Sequence, residues 1–256
     1  GRRAGYSERA QRRDRGMSAT LPRFSIITPS LNQARFIRQT IESVLSQDYP
    51  DIEYIVMDGG STDSTPEILR EYGDRLHWVS EKDEGQADAI NKGIQRATGE
   101  LMGFINSDDY LLPGALRFAA ERLLETPERK WLTGDYVIID QQGQPIQPFT
   151  VLYKRLFRKL SSPAVLAFTN YIVQPSTFWK REVHDEIGYL DKTLYYTFDY
   201  DFWMRLMRLC QPYCVSKPLS AFRIHPASKG GSEYESQFQE ELGVLQRYNK
   251  NQALSH

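Results

Sequence analysis

Short apolar runs alternate with helical patterns through the first half of this 256-residue chain. The runs occupy residues 24–28, 54–57, 76–80 and 101–105, and apolar residues at helical spacing follow each of them. Strands that are separated by helices pair in parallel, because the crossover helix returns the chain to the same end of the sheet. The sequence therefore predicts an α/β fold with a Rossmann-like, mostly parallel central sheet that is flanked by helices.

The fourth apolar run ends in the polar cluster Asn106-Ser107-Asp108-Asp109. In an open parallel sheet, ligands bind beyond the carboxyl ends of the strands, so these acids should meet a ligand. Successive side chains of a strand point to opposite sides, which gives Asp108 and Asp109 different roles. Carboxylates at an open site suit Mg²⁺ or Mn²⁺, and these ions suit a substrate with a pyrophosphate. An acidic turn that caps the helix near Pro113 explains the same residues equally well.

The composition predicts a globular protein and argues against several function classes. The net charge of -1 gives no overall field for nucleic acid, so we expect no nucleic-acid partner. Cys210 and Cys214 lack a neighbouring His and Cys cluster, which argues against zinc. No apolar run approaches the roughly 18 residues of a membrane span, and the amino terminus lacks an apolar signal segment. We expect a cytoplasmic protein whose Arg-rich residues 1–20 are a disordered tail or an addition for expression.

Residues 151–160 place four cations among apolar side chains. Lys154, Arg155, Arg158 and Lys159 would suit a helix that contacts phosphates, or one that lies against the inner face of an anionic membrane. A solvated helix that packs one side on the domain explains the pattern equally well.

Four motifs follow one another in the first half of the chain. They are Ile-Ile-Thr-Pro-Ser-Leu-Asn at residues 26–32, Asp-Gly-Gly-Ser-Thr-Asp at 58–63, Asp-Ala-Ile-Asn-Lys-Gly at 88–93, and Asn-Ser-Asp-Asp at 106–109. With these motifs in this order, the chain from about Arg23 to Ala227 resembles family 2 of the inverting glycosyltransferases, which implies a GT-A fold with a smaller acceptor-side subdomain. The resemblance implies that residues 21–140 bind a nucleoside-diphosphate sugar. Residues 141–256 of the same domain would then bind the acceptor and carry the catalytic base.

The resemblance also assigns site residues. It implies that the nucleotide contacts Thr28, Pro29, Leu31, Asn32, Asp58, Gly59, Asp88, Lys92, Asn106, Ser107 and Asp108. It implies a Mn²⁺ or Mg²⁺ ion on Asp109, with His225 and the neighbouring Arg223 closing the site from a late segment. Gln174 and Trp179 resemble acceptor-side positions.

A helix that begins near Phe198 resembles the segment in which family members carry a catalytic acidic pair. Asp199 aligns with the base. Phe198 stands where the usual Glu would be, so the supporting acid is absent or is supplied by Asp201. Gly59 is a second departure, since many members have there an acid that often reads the uracil edge. The resemblance therefore leaves the donor nucleotide open.

The implied reaction transfers a sugar to an acceptor hydroxyl with inversion, in polysaccharide or glycolipid synthesis. Asp199 would take the proton from the hydroxyl of a saccharide or lipid-linked acceptor as it attacks the anomeric carbon. The metal would neutralise charge on the departing diphosphate.

Two other functions fit parts of the pattern. Phe198 is compatible with a relative that binds a nucleotide sugar or a partner glycosyltransferase without turnover. A nucleotidyltransferase would share the sheet and the metal-binding acids, but it needs a Gly-rich basic loop where this chain has Pro29-Ser30-Leu31-Asn32. A dinucleotide oxidoreductase is disfavoured, because the first turn lacks the G-x-G-x-x-G pattern. The sequence carries no signature of an oligomeric state.

Overall fold

The computed structural model describes residues 21–226 and 234–253, so the predicted tail at residues 1–20 lies outside the described residues. The strands in these ranges are β1 (Phe24–Ser30), β2 (Ile52–Asp58), β3 (His77–Ser80), β4 (Leu101–Phe104), β5 (Tyr110–Leu111), β6 (Trp131–Ile139), β7 (Pro145–Ile146), β8 (Thr177–Lys180) and β9 (Tyr213–Arg223). The helices are α1 (Ile37–Leu45), α2 (Thr65–Glu71), α3 (Gln86–Arg96), α4 (Ala115–Glu125), α5 (Pro148–Lys159), α6 (Pro163–Phe168), α7 (Val183–Ile187), α8 (Phe198–Leu209) and α9 (Tyr234–Ala253).

Across the described ranges, nine strands form one sheet in the order β3-β2-β1-β4-β8-β6-β9-β5, with β7 paired to β6. Strands β3, β2, β1 and β4 are parallel, as the alternation of strands and helices predicts. Strand β8 runs antiparallel to both of its neighbours, and β9 is parallel to β6 but antiparallel to β5. The α/β class is confirmed, and the sheet is mixed because the second half contributes strands of both directions.

Helices cover both faces of the sheet. Neighbouring residues of β1 point to opposite faces, so that Ile26 packs with α1 and α4 whereas Ile27 packs with α3 and α8. Both isoleucines are fully buried. A strand that is covered on both faces needs an unbroken apolar run, which is why the sequence pattern identifies β1 so clearly.

Helix α3 packs directly onto β1 at Gly93. A Cβ atom on Gly93 would lie 2.5 Å from Cγ2 of Ile27, far inside ordinary van der Waals contact. Glycine therefore sets the distance between α3 and the sheet.

The carboxyl ends of the parallel strands lie side by side. Ser30 of β1 pairs with Asp58 of β2, which pairs in turn with Ser80 of β3. Strand β4 lies on the other side of β1 and ends at Phe104, directly before the acidic cluster. The loops after β1, β2, β3 and β4 consequently meet at one edge of the sheet.

The second half departs most from the sequence-based expectation. Strand β9, at Tyr213–Arg223, carries no apolar alternation strong enough to predict it and contains Pro218. It nevertheless pairs with β6 over most of its length. Within the described residues, no helix combines the length and the apolar character that crossing a bilayer requires.

Candidate active site

A cavity of about 420 Å³ opens at the carboxyl edge of the sheet. Five of the predicted nucleotide-binding residues line it, and they come from the end of β1 and from the loops after β1 and β4: Pro29, Leu31, Asn106, Ser107 and Asp108. The loop after β3, the start of α3, Tyr195 before α8 and the end of β9 also contribute to the wall. The structure thus brings together loops that are far apart in the sequence.

Asp108 lines this cavity and contacts His225, which is not part of the wall that the described residues form. Oδ2 of Asp108 lies 3.0 Å from Nε2 of His225, and 18% of the Asp108 side chain is exposed against 6% for His225. The ring of Phe36 packs against the His225 ring, with centroids 4.9 Å apart, and holds its orientation. A carboxylate and an imidazole are both ligands for Mn²⁺, and ions of this class complete their coordination with substrate phosphates and water. The pair therefore fits a divalent ion that arrives with a diphosphate, although no group of three or more His, Cys, Asp or Glu side chains forms a metal cluster in the described parts of the chain.

Asp109 has the opposite orientation, and the prediction that it holds the metal stays a prediction. Its side chain is only 1% exposed, and Oδ1 accepts a 2.7 Å hydrogen bond from Arg223 N. Its carbonyl oxygen accepts a hydrogen bond from Oγ1 of Thr40 at 2.6 Å. Burial, followed by the charge of Asp108, raises the pKa of Asp109 well above the usual range of an aspartate. Asp109 anchors the end of β9, and the cavity-facing position belongs to Asp108.

Arg223 fixes the same corner through its guanidinium group. Nε donates to the carbonyl oxygen of Asp108 at 2.8 Å, and Nη2 donates to Oε1 of Gln39 at 2.6 Å. These bonds connect β9, α1 and the loop after β4. Arg223 therefore orders the loop that presents Asp108.

Thr28, Asn32 and Asp58 are predicted nucleotide-binding residues that lie outside the cavity wall formed by the described residues. Asn32 adopts a φ of 53° and accepts hydrogen bonds from Thr62 N and Asp63 N with Oδ1. Thr28 is fully buried, and its hydroxyl bonds to that of Tyr54 at 3.0 Å.

Asp58 is also buried, and its carboxylate accepts hydrogen bonds from Ser61 N at 3.0 Å and from Ser80 Oγ at 2.5 Å. Its carboxylate closes the turn after β2. Gly59 follows Asp58, and its lack of a side chain leaves room for the carboxylate of Asp83.

Asp88 and Lys92 form an ion pair on α3, with 3.2 Å between Oδ2 and Nζ. Lys192 contacts the other Asp88 oxygen at 3.1 Å. The contact between Asp88 and Lys192 connects α3 to the loop before α8. Neither residue belongs to the cavity wall as the described residues form it.

Several cavity residues escaped the sequence analysis. Oγ of Ser30 is buried and has no hydrogen-bond partner among the described residues. Gln86 donates from Nε2 to Oδ1 of Asn106 at 2.7 Å, which joins the start of α3 to the loop after β4. Asp83 lies on the wall and accepts a hydrogen bond from Gly85 N at 2.9 Å. The parallel pairing of β3, β2, β1 and β4 brings these residues to the cavity. The sequence alone could identify them only if the order of the strands in the sheet were known.

Asp199 and Asp201 have different surroundings in the first turn of α8. Asp199 is partly buried and accepts a 2.7 Å hydrogen bond from Tyr200 N. Burial raises the pKa of Asp199 to about 6, and the bond from Tyr200 N and the charge of Lys154 act in the opposite direction. Within the described residues, the cavity wall does not include Asp199.

The Asp201 carboxylate is fully used inside the protein. Oδ2 accepts a hydrogen bond from Nε of Arg205 at 2.9 Å, and Oδ1 accepts one from the Tyr248 hydroxyl at 3.1 Å. Only 6% of the residue is exposed. These bonds hold α8 against α9, and a catalytic role for Asp201 stays a prediction.

The family model described as "Glycosyl transferase family 2" matches residues 25–188, which contain the loops after β1 to β4 and the acidic cluster. The chain belongs to glycosyl transferase family 2.

Relatives and solved structures of similar proteins agree with this membership. An uncharacterized glycosyltransferase of Rickettsia felis is 29% identical over 240 residues, which are 91% of this chain but 39% of that protein. The putative teichuronic acid biosynthesis glycosyltransferase TuaG of Bacillus subtilis is 38% identical over 132 residues, 50% of this chain and 52% of TuaG. The mannosyltransferase PcManGT of Pyrobaculum calidifontis, solved with GDP-Man and Mn²⁺, superposes with a TM-score of 0.69 at 20% identity, over 96% of this chain and 71% of that one. The chain thus shares the fold of PcManGT and spans only part of the length of the relatives it matches.

The two predicted acceptor residues of this family 2 protein differ in exposure. Trp179 is fully buried, and its Nε1 donates to Nε2 of His184 at 3.0 Å. It lies in the core without exposed surface, and its acceptor-side role stays a prediction. Gln174 is partly exposed and bonds to the carbonyl oxygen of Phe104 at 2.7 Å and to Asn106 at 3.3 Å. It lies next to the cavity-lining loop.

Helix α5 of the family 2 protein presents an apolar face to solvent. Phe149, Leu152, Tyr153, Leu156 and Leu160 are all exposed, and their spacing places them on one side of the helix. We call these five residues the α5 face.

The cations of α5 point elsewhere. Arg155 and Arg158 both pair with the buried carboxylate of Asp135. Lys154 is partly buried, and burial lowers its pKa to about 8. Lys159 is exposed, and the predicted contact of these four cations with phosphates or an anionic membrane stays a prediction.

Proposed function

We propose that this protein transfers a sugar from a nucleoside-diphosphate sugar to an acceptor hydroxyl, with inversion and with a divalent ion as cofactor. The observation that carries the proposal is the cavity at the carboxyl edge, whose wall includes Asp108, paired with His225, and Ser30, whose hydroxyl has no partner among the described residues. Ligands of open α/β sheets bind at this edge. Membership of the family and the nucleotide sugar named for PcManGT support the choice of donor.

Asp108 and His225 would hold the divalent ion. When bound, the ion neutralises charge that develops on the departing diphosphate. Arg223 supports this end of the cavity by ordering the loop that carries Asp108. A buried hydroxyl without a partner is costly, so Ser30 favours a donor whose oxygens bond to it.

Asp199 is the proposed general base. Its pKa of about 6 leaves the carboxylate ionised at neutral pH and still basic enough to accept a proton from a hydroxyl. Direct single displacement by the acceptor would invert the anomeric carbon, so no covalent intermediate with the enzyme is needed. Phe198 is buried against Phe104, and the missing family Glu is not replaced by Asp201, whose oxygens are occupied. Asp199 would therefore act without the family Glu at position 198, and Glu241 is the acid whose charge adds to the rise of its pKa.

The acceptor is proposed to be a saccharide or a lipid-linked saccharide of a cell-envelope polysaccharide. The name of TuaG supports this class, since it refers to teichuronic acid synthesis. Gln174 is placed to take part in acceptor binding, because it adjoins Asn106 at the cavity.

The test measures donor hydrolysis and transfer with a panel of nucleotide sugars, with Mn²⁺, Mg²⁺ or chelator. We expect divalent-dependent turnover with at least one donor, and its loss in Asp108→Asn. The matched control is Asp48→Asn, because Asp48 is an exposed acid that pairs with Arg117. Equal turnover in the wild type and in Asp108→Asn would refute the proposed metal site.

A second candidate is a relative that binds a nucleotide sugar without turnover. The position of Asp199 beside Lys154, away from the cavity wall, favours it. Calorimetric binding of nucleotides without any release of sugar from the donor panel would support this candidate over the first.

A further inference from the structure

Asp83 occupies an unusual position in the cavity wall. Its Oδ2 atom lies only 2.5 Å from the point that a Cβ atom on Gly59 would take. The carboxylate of Asp83 therefore fills the space above Gly59, where the absence of a side chain leaves room for it. Gly59 does not have a positive φ, so its backbone is compatible with a side chain and the room for Asp83 is the feature that glycine provides.

The second carboxylate oxygen is held in place. Oδ1 accepts a 2.9 Å hydrogen bond from Gly85 N, which fixes the orientation of the group. In the described parts of the chain, no Lys or Arg forms an ion pair with Asp83. The carboxylate thus lies at the cavity with acceptor capacity and with a negative charge that no ion pair among the described residues neutralises.

The order of the strands locates Asp83 along a bound donor. Asp83 follows β3, and Asp108 follows β4, so strands β2 and β1 lie between them. Three strand spacings of about 4.8 Å separate the two positions by roughly 14 Å. An extended nucleoside diphosphate has comparable reach from its diphosphate to its base. With the diphosphate at Asp108, the base arrives at Asp83 and passes the apolar side chains of Pro29 and Leu31.

We propose that Asp83 reads the base of the donor nucleotide by accepting a hydrogen bond from a ring N–H. Uracil, thymine and guanine carry such an N–H on the edge opposite the sugar. Adenine and cytosine present a bare ring nitrogen at the corresponding position and offer a carboxylate only the neighbouring amino group as a donor. The proposal therefore predicts a uridine, thymidine or guanosine diphosphate sugar as the donor. This inference rests on the proposed nucleotide-sugar function and names the group that selects the base.

The test is calorimetric titration of the whole chain with GDP, UDP, ADP and CDP in the presence of Mn²⁺, and with inorganic pyrophosphate as a probe that has no base. A hydrogen bond to a charged group corresponds to about a 10- to 100-fold preference, so GDP or UDP should bind that much more tightly than ADP and CDP. Asp83→Asn keeps an oxygen for Gly85 N but loses the charge, and it should abolish the preference while pyrophosphate binding stays unchanged. Glu84→Gln is the matched control, because Glu84 is in the same loop and faces Lys192 instead.

A compensating pair of substitutions tests the geometry itself. Gly59→Asp alone should weaken binding, because its Cβ meets Asp83 Oδ2 and two like charges then share one space. Combined with Asp83→Ala, the same Gly59→Asp change returns a carboxylate to the wall and should restore the preference for GDP or UDP.

The outcomes separate this inference from the function on which it rests. If the unaltered protein binds nucleotides but does not discriminate among bases, or if Asp83→Asn keeps the preference, the inference fails and the proposed function stands. If neither nucleotides nor pyrophosphate bind to the unaltered protein, the proposed function fails and the inference fails with it.

Discussion

Replacing Gly93 by Ala tests how closely α3 must approach the sheet. The new Cβ would lie 2.5 Å from Cγ2 and 3.1 Å from Cγ1 of Ile27. Ordinary carbon contacts are near 3.5 to 4.0 Å, so one of the two elements must move. Ile27 has little freedom, because its strand pairs with Ile55 of β2 and with Phe104 of β4.

Two effects of opposite sign determine the magnitude. Overpacking a tight core costs about 1 to 3 kcal/mol. Alanine in place of glycine inside a helix contributes about 1 kcal/mol of stability. The expected net loss for Gly93→Ala is therefore about 1 kcal/mol of the free energy of unfolding.

Gly243→Ala on α9 is the matched control, since a Cβ there would meet no atom within 4 Å. It should stabilise the protein by about 1 kcal/mol. The two alanine variants should thus differ by about 2 kcal/mol when urea unfolding is followed by circular dichroism.

A double-mutant cycle with Ile27→Ala identifies the contact. Ile27→Ala removes both atoms that crowd the new Cβ, so the double variant should lose less stability than the sum of the single losses. Equal stabilisation by Gly93→Ala and Gly243→Ala, or strict additivity in the cycle, would refute the close-approach argument.

Three further predictions concern α8 and the α5 face. Asp199→Asn should lower turnover by about 10²- to 10⁴-fold and leave donor affinity unchanged. Because burial raises the Asp199 pKa and the base must be ionised, wild-type turnover should fall as the pH drops through about 6. A flat rate profile from pH 5 to 8 would contradict this. Asp201→Asn should lower the free energy of unfolding by about 2 kcal/mol, which is less than for a fully buried ion pair because Arg205 is partly exposed. Turnover per folded molecule should be retained. Loss of turnover without loss of stability would instead indicate a catalytic role for Asp201. The double variant Leu152→Ser and Leu156→Ser should sediment less with lipid vesicles than the wild type at both low and high salt, because the α5 face is apolar. Wild-type binding to vesicles that disappears at high salt would instead indicate that the cations of α5 make the contact.

Local patterns in the sequence are sufficient where an element is regular. Helix α3 occupies Gln86–Arg96, as its apolar spacing predicts, because one face of the helix packs on a continuous core. The fold class and the edge of the sheet at which the cavity lies follow from the same reasoning. Strand β9 could not be predicted, since its pairing with β6 supplies the order that its own residues do not encode.

The choice between Asp108 and Asp109 also lies beyond local pattern. Alternation predicts that the two acids point to opposite sides, but it cannot say which side is buried. The buried side depends on where β9 ends, because Arg223 N at that end donates a hydrogen bond to Oδ1 of Asp109. The meeting of Gly59 with Asp83 has the same origin, since it follows from the pairing of β2 with β3.

The late position of β9 has a consequence for the order of synthesis. Asp108 and His225 are 117 residues apart in the chain. At ribosomal rates of roughly 5 to 20 residues per second, the first emerges on the order of ten seconds before the second. During that interval β6 has one edge without its final neighbour, and Asp109 has yet to receive the N–H of Arg223. An unpaired strand edge can recruit other chains, and β9 removes this edge of β6 only when the last part of the sheet has been synthesised.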